Sequence, residues 1–274
     1  MKTGALVAGL AMLGLAGFLT VAYAQTAKRA LQPADNLNGT PDSTPDLSGV
    51  WAPAPPAHPI DPALFGVGRK ETIPPDLDQA DYFTFLHSPY PMQPWAQEKF
   101  NYNRHPENPY GHGRNELNPL LAQCAPLGPT GSWQDFFPFE IIQSPKRVLI
   151  IFEENHEIRQ IWTDGRKHPK DFGHNWMGHS IGHWEGDTLV ADTIGLNDLT
   201  WLDRAGHVHS DELHLVERLQ RAGDKLMLNI LFDDPKAFTR PFTARKTYQL
   251  KPKWDLEEAI TCEDKLLGRP VPLQ

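Results

Sequence analysis

Cysteine is nearly absent: Cys124 and Cys262 are the only two in 274 residues. Neither belongs to a CxxC-type pair, so a structural zinc site built on thiolates is a poor reading. In an oxidising compartment an even pair is most simply a disulfide. Closing so long a loop stabilises by at most about 5 kcal/mol in the chain-entropy picture. Positive charge is also short, with 26 Lys and Arg against 34 Asp and Glu and a formal net charge of −8. Nucleic acid, which is bound through a basic surface, is therefore not an expected partner. The chain has no Gly-rich phosphate loop, no GxSxG elbow, no HExxH and no internal repeat. Those gaps remove the common nucleotide-binding, serine-hydrolase and zincin readings.

Long apolar runs are missing too, except at the very start. Residues 1–24 carry Lys2, an apolar stretch from Ala5 to Val21 and the closing Ala22, Tyr23 and Ala24. That order of charge, apolar core and A-x-A reads as a secretory signal cut before Gln25. The competing reading, a retained anchor, has an apolar run at the lower limit for crossing a bilayer. The expected product is periplasmic or secreted, with no span after cleavage.

Proline, in contrast, is abundant. It clusters between Gln32 and Pro138, as in Pro53 to Pro59 and in Ile73 to Leu77. Because proline fixes φ and removes a donor, residues 25–138 are expected to form an extended arm packed on a core, with a short helix around Met92 to Asn101. Its aromatics would anchor it, and the arm offers a surface for a protein partner. From Phe139 the texture changes. Arg147–Phe152, His156–Thr163, His179–Trp184, Thr188–Ile194, Glu212–Arg221, Lys225–Phe232 and Phe242–Leu250 read as seven strands separated by turn residues. The expected fold is mainly β: an antiparallel meander over 139–274 closing into a lipocalin-like, calycin-type barrel, with a β-sandwich as the alternative. Ser210 to Ala222 also fits a helix, but the shared parity of Leu213, Leu215 and Leu219 favours a strand.

Eight of the twelve histidines fall between His156 and His214, and imidazole is the side chain best suited to move protons or bind metal near neutral pH. Strand alternation puts His179 and His183 on one face with Asp192 of the next strand, whichever two residues centre the turn. If Glu185 and Gly186 centre it, His179 stands opposite Asp192, and the carboxylate would orient the ring. These three and Glu217 are the candidate catalytic residues. His179 and His183 are the candidate ligands for a divalent metal. The competing reading turns both histidines to solvent, with Trp184 and Leu189 toward the core. Glu217 shares the parity of the core leucines, where a carboxylate needs a partner; an arginine such as Arg159 or Arg245 would serve. Trp162, Arg166, Trp176 and His209 are the candidate ligand-binding residues, Arg166 as a fork for an anionic group.

The strings DLSGVW, IWTDGRKHP, WMGHSIGHWEGDTLVADTIG and HSDELHLVER resemble those of a family of secreted bacterial proteins with no established activity. The resemblance implies an exported bacterial protein and supplies no catalytic residues. Two functions fit these readings. One is an enzyme using His/Asp acid-base or metal chemistry for hydration, isomerisation or hydrolysis of a small apolar molecule. The other is a periplasmic carrier, or a subunit of an envelope complex, holding a hydrophobic ligand among its tryptophans.

Overall fold

Alternation of apolar and polar residues becomes a closed sheet. The computed structural model describes residues 44–54, 84–86, 89–103, 125–135 and 137–257. Residues 1–24, read above as an expected leader, and Cys124 and Cys262 lie outside them. Among the described residues nine strands close into a barrel in sequence order: β1 Gly49–Pro53, β2 Phe139–Ser144, β3 Arg147–Phe152, β4 Ile158–Trp162, β5 His179–Glu185, β6 Thr188–Ile194, β7 His214–Ala222, β8 Lys225–Asp233 and β9 Phe242–Leu250. The fold is thus mainly β and a barrel of the lipocalin-like kind. No described helix is long and apolar enough to cross a membrane.

Two strands add to the seven read from sequence. The Pro-rich half supplies β1, which bridges β2 and β9 through Trp51↔Phe139 and Trp51↔Leu250 and so closes the ring. The helix expected near Met92 runs over Pro94–Asn103 (α1), and a second short helix occupies Gly128–Trp133 (α2).

Nine is an odd number, and this constrains the pairing. Going once round a closed barrel, strand direction must return to itself, so the antiparallel contacts must be even in number. With nine neighbours, at least one pair has to be parallel. That pair is β4 and β5, joined at Ile161↔Ser180 and Trp162↔Ile181, so the meander is broken once. A parallel pair needs a crossover of a dozen or more residues, which has to travel over a face of the sheet. Residues 163–178 are that crossover. Phe172 seats it where Gly195 lacks a side chain: a Cβ there would lie 2.5 Å from the ring, and φ is +72°. The Asn175 amide donates to the Gly195 carbonyl at 2.9 Å, and the Asn197 amide donates to the Asn175 carbonyl at 2.8 Å.

The lumen is packed with the chain's own side chains. Phe139, Ile141, Ile150, Ile161, Leu189, Leu219, Leu228, Phe232 and Tyr248 point inward from the strands and are fully buried. Trp133, carried by α2, completes the filling from one end of the barrel. Its ring stands edge-on to Phe139 and Phe152, and its backbone carbonyl accepts the Tyr248 hydroxyl at 2.7 Å. Gly182 also faces inward, where a Cβ would come within 2.8 Å of Ile161.

Candidate functional site

The crossover delivers His168 to the outside of the barrel, above residues that the sheet has already aligned. The β5–β6 turn centres on Gly186 and Asp187, so Glu185 pairs with Thr188, Ile181 with Asp192 and His179 with Ile194. Asp192 pairs onward with Val216 of β7. His179 and His214 therefore flank Asp192 diagonally from the two adjacent strands, with Ile194 between them. His168 Nε2 meets Asp192 Oδ1 at 2.8 Å, His214 Nε2 meets Asp192 Oδ2 at 3.0 Å, and His168 Nδ1 meets His179 Nδ1 at 2.8 Å. One carboxylate thus holds two imidazoles, and a third is attached through the first.

Counting hydrogens assigns the tautomers. An ionised carboxylate only accepts, so His168 and His214 both present Nε2–H to Asp192. A neutral His168 then has its lone pair on Nδ1, and His179 must donate its own Nδ1–H to it. The His179 lone pair is left on Nε2. Environment separates the two ends of the chain. Hydrogen bonding to Asp192 raises the His214 pKa above its ordinary 6.5. Burial, with His168 and Arg166 nearby, lowers that of His179 below 6.5. The bond from His214, reinforced by His168, holds Asp192 below the usual carboxylate range.

His179, His183 and Asp192 do share a face, and it is the outer one, as in the competing reading that turned both histidines away from the core. The residues of their parity, His179, Ile181 and His183, lie on the outer surface, while Ser180, Leu189, Ala191 and Thr193 face the lumen. The register also differs from the one that set His179 opposite Asp192, because the turn sits one residue later. His183 lies about 13 Å along the strand from His179. Its side chain is 65% exposed and pairs with Glu185 at 3.1 Å. The two histidines are too far apart to ligate one ion, and no group of three or more His, Cys, Asp or Glu side chains among the described residues is arranged to hold a metal ion.

Glu217 lies in the lumen and is fully buried. It binds Arg159 through both oxygens and accepts the Trp133 indole N–H at 2.5 Å. Arg159 also donates to Thr193 at 2.9 Å and to Ser180 at 3.3 Å. Arg245, the other suggested partner, instead binds Asn229 on the surface. His209 is buried, with Nδ1–H on the Ser210 carbonyl and Nε2 accepting from Thr200. Burial lowers its pKa below 6.5, and the two bonds tie the β6–β7 loop to itself. Arg166 stacks on Trp162 at 3.4 Å and grips Asp164, on the flank of the histidine cluster. Trp176 is half-buried in the crossover, its carbonyl close to Gly128.

His168 in TDGRKHP and His214 in HSDELHLVER stood out in the sequence but were not joined to His179 and Asp192, and the structure shows that they complete the cluster. The signal for His168 was the length of the segment between Trp162 and His179, too long for a hairpin loop. The signal for His214 was its place at the head of a strand whose leucines point the other way.

The chain matches no protein-family model, no curated protein and no solved structure.

Proposed function

We propose that this chain is an exported enzyme of general acid-base type, with its site on the outer face of the barrel beneath the β4–β5 crossover. The observation that carries the reading is one carboxylate, Asp192, holding a chain of three imidazoles whose two ends, His179 and His214, are shifted in opposite directions from the ordinary histidine value. Pairs of titratable groups separated in this way mark acid and base roles. His179 is the base. It takes a proton at Nε2, and the resulting positive charge is spread through His168 toward Asp192. His214 is the acid, held protonated by the same carboxylate and giving up its Nδ1 proton. The net charge of the cluster is unchanged by the exchange, so the site passes no charge penalty to the substrate.

His179 and His214 stand two strands apart, about 10 Å between backbones, with Ile194 as an apolar floor. That spacing admits a small molecule. Hydration, isomerisation and hydrolysis are the reaction classes that need one proton removed and one delivered. The carrier alternative finds less support, because Trp133 and the strand residues fill the lumen where a ligand would sit.

The reading is tested with purified full chain on 4-nitrophenyl acetate, small lactones and small enones, from pH 5 to 9. Turnover with a bell-shaped profile is expected, its acidic limb below pH 6.5 and its alkaline limb above. Asp192→Asn, His179→Gln and His214→Gln each reduce it by about 10²-fold or more. Turnover that survives Asp192→Asn within twofold, or none on any probe, would sink the proposal.

A further inference from the structure

The lumen filling has an unusual source. The indole that meets Glu217 in the lumen comes not from a strand but from α2, a six-residue segment of sequence GPTGSW. Trp133 is seated as a bound molecule would be. Its single polar atom ends on Glu217, and Phe139 and Phe152 stand roughly perpendicular to its ring with Tyr248 tilted beside it. The fit leaves polar atoms unpaired: Arg159 Nε and Gln134 Nε2 are buried with no hydrogen-bond partner. Beside the helix, Leu127, Ser132 and Asp135 meet Phe152 and Glu154 along a narrow seam with no room for a further molecule.

What holds α2 down is Glu157, at the end of the β3–β4 turn. The turn presents it through two consecutive left-handed residues, Asn155 (φ 54°) and His156 (φ 50°). Glu157 Oε1 accepts the Leu127 amide at 2.5 Å, and Oε2 lies 2.8 Å from Ser132 Oγ. Ser132 Oγ is also 2.7 Å from the Gly128 carbonyl. The serine has one hydrogen and faces two acceptors, so both contacts are satisfied only when Glu157 carries a proton on Oε2 and donates it to the serine.

We propose that the lumen is a socket for a planar aromatic molecule bearing a ring N–H, that Trp133 occupies it as a built-in ligand, and that neutral Glu157 is the latch keeping α2 seated. This goes beyond the outer-face site and does not rest on it. Burial raises Glu157 from its ordinary 4.5 to about 7, in agreement with the hydrogen count. Among the described residues the charged groups around it are Asp135 on the α2 side, Glu153, Glu154 and His156 in its own turn, Arg204 from the β6–β7 loop, which pairs with Asp135, and Glu257, whose amide donates to Glu153. A carboxyl whose pKa is raised on seating favours the seated state fully below its ordinary value and loses that advantage as pH climbs through the raised one. With 4.5 released and 7 seated, seating weakens about thirty-fold between pH 5.5 and 8.5.

The test uses the full chain and indole as the probe. The Trp133 indole N–H, identified by its loss in Trp133→Phe, is followed by NMR from pH 5.5 to 8.5, and indole binding is measured by calorimetry at both ends. A protected, strongly downfield N–H at pH 5.5 that exchanges about thirty-fold faster at pH 8.5 is expected, with indole bound at least tenfold tighter at pH 8.5. Glu157→Gln, which imitates the neutral acid, removes both pH responses, and Ser132→Ala moves the midpoint to lower pH. An N–H unchanged across the range, indole failing to bind at pH 8.5, a pH response persisting in Glu157→Gln, or an unmoved midpoint in Ser132→Ala each overturns the proposal.

Discussion

Replacing Glu217 by Gln separates a structural carboxylate from a catalytic one. The substitution keeps size and shape but removes the charge facing Arg159, a side chain only 1% exposed. It also puts an amide N–H₂ against guanidinium N–H groups in a space holding two Arg159 bonds and the Trp133 bond. Breaking a buried pair from one side costs about 3–5 kcal/mol, because the remaining charge stays unsolvated. For a chain of this size that corresponds to a melting temperature lower by roughly 10 °C. The companion is the double variant Arg159→Met, Glu217→Gln, in which no charge is left stranded. It recovers most of the loss, since replacing both partners of a buried pair is often close to neutral. Urea denaturation of wild type, both single variants and the double supplies the cycle. A Glu217→Gln loss below 1 kcal/mol, or a double variant as unstable as the two singles added together, would refute the assignment of this pair as the lumen's electrostatic clamp.

Gly195→Ala forces a side chain into a backbone with φ +72° and against the Phe172 ring. The left-handed strain alone costs about 1–2 kcal/mol, so trypsin should cut faster at Arg166 and Lys167, and an unchanged cutting rate would count against the seating of the crossover. Cys124 lies three residues before Leu127, which is bound to Glu157, and Cys262 lies five after Glu257, which is bound to Glu153. Both anchor residues, Leu127 and Glu257, sit at the β3–β4 turn, and three and five residues span at most about 10 and 17 Å. Peptide mapping without reduction should find the two cysteines linked, whereas alkylation of both in the native protein would exclude it. Stability should also depend on His214. Its pKa is raised in the fold, so its contribution is complete below pH 6.5 and fades as pH rises through the raised value. Asp192→Asn flattens that part of the pH–stability curve, and an unaltered curve would contradict the contact.

Strands were legible wherever one parity was apolar. Phe242, Ala244 and Tyr248 mark β9, which occupies the expected Phe242–Leu250. β1 was hidden because Ala52 and Pro53 weaken its pattern inside a proline-rich stretch; the seven strands read from sequence are odd in number too, so closure of either count requires a parallel pair. Which pair is parallel does not follow from the count, so the β4–β5 crossover and the outer-face position of His168 were not read with it. The facing of β5 was ambiguous for a local reason. Ser180 and Gly182 are small or polar yet point inward, Ser180 because Arg159 needs its hydroxyl and Gly182 because Ile161 and Val190 crowd it. Ile181, apolar, points outward. Glu217 was different: its parity with Leu215 and Leu219 and its need for an arginine were both readable, and Arg159 meets it.

The most direct measurement is a histidine-resolved NMR titration of wild type and Asp192→Asn. The wild type should show His214 titrating above 6.5 and His179 below it. In Asp192→Asn the His214 midpoint should fall toward 6.5, and the gap between the two rings should narrow. If His179 and His214 titrate together in the wild type, or if His214 does not move when Asp192 loses its charge, the shared carboxylate does not organise these imidazoles and the acid-base reading fails.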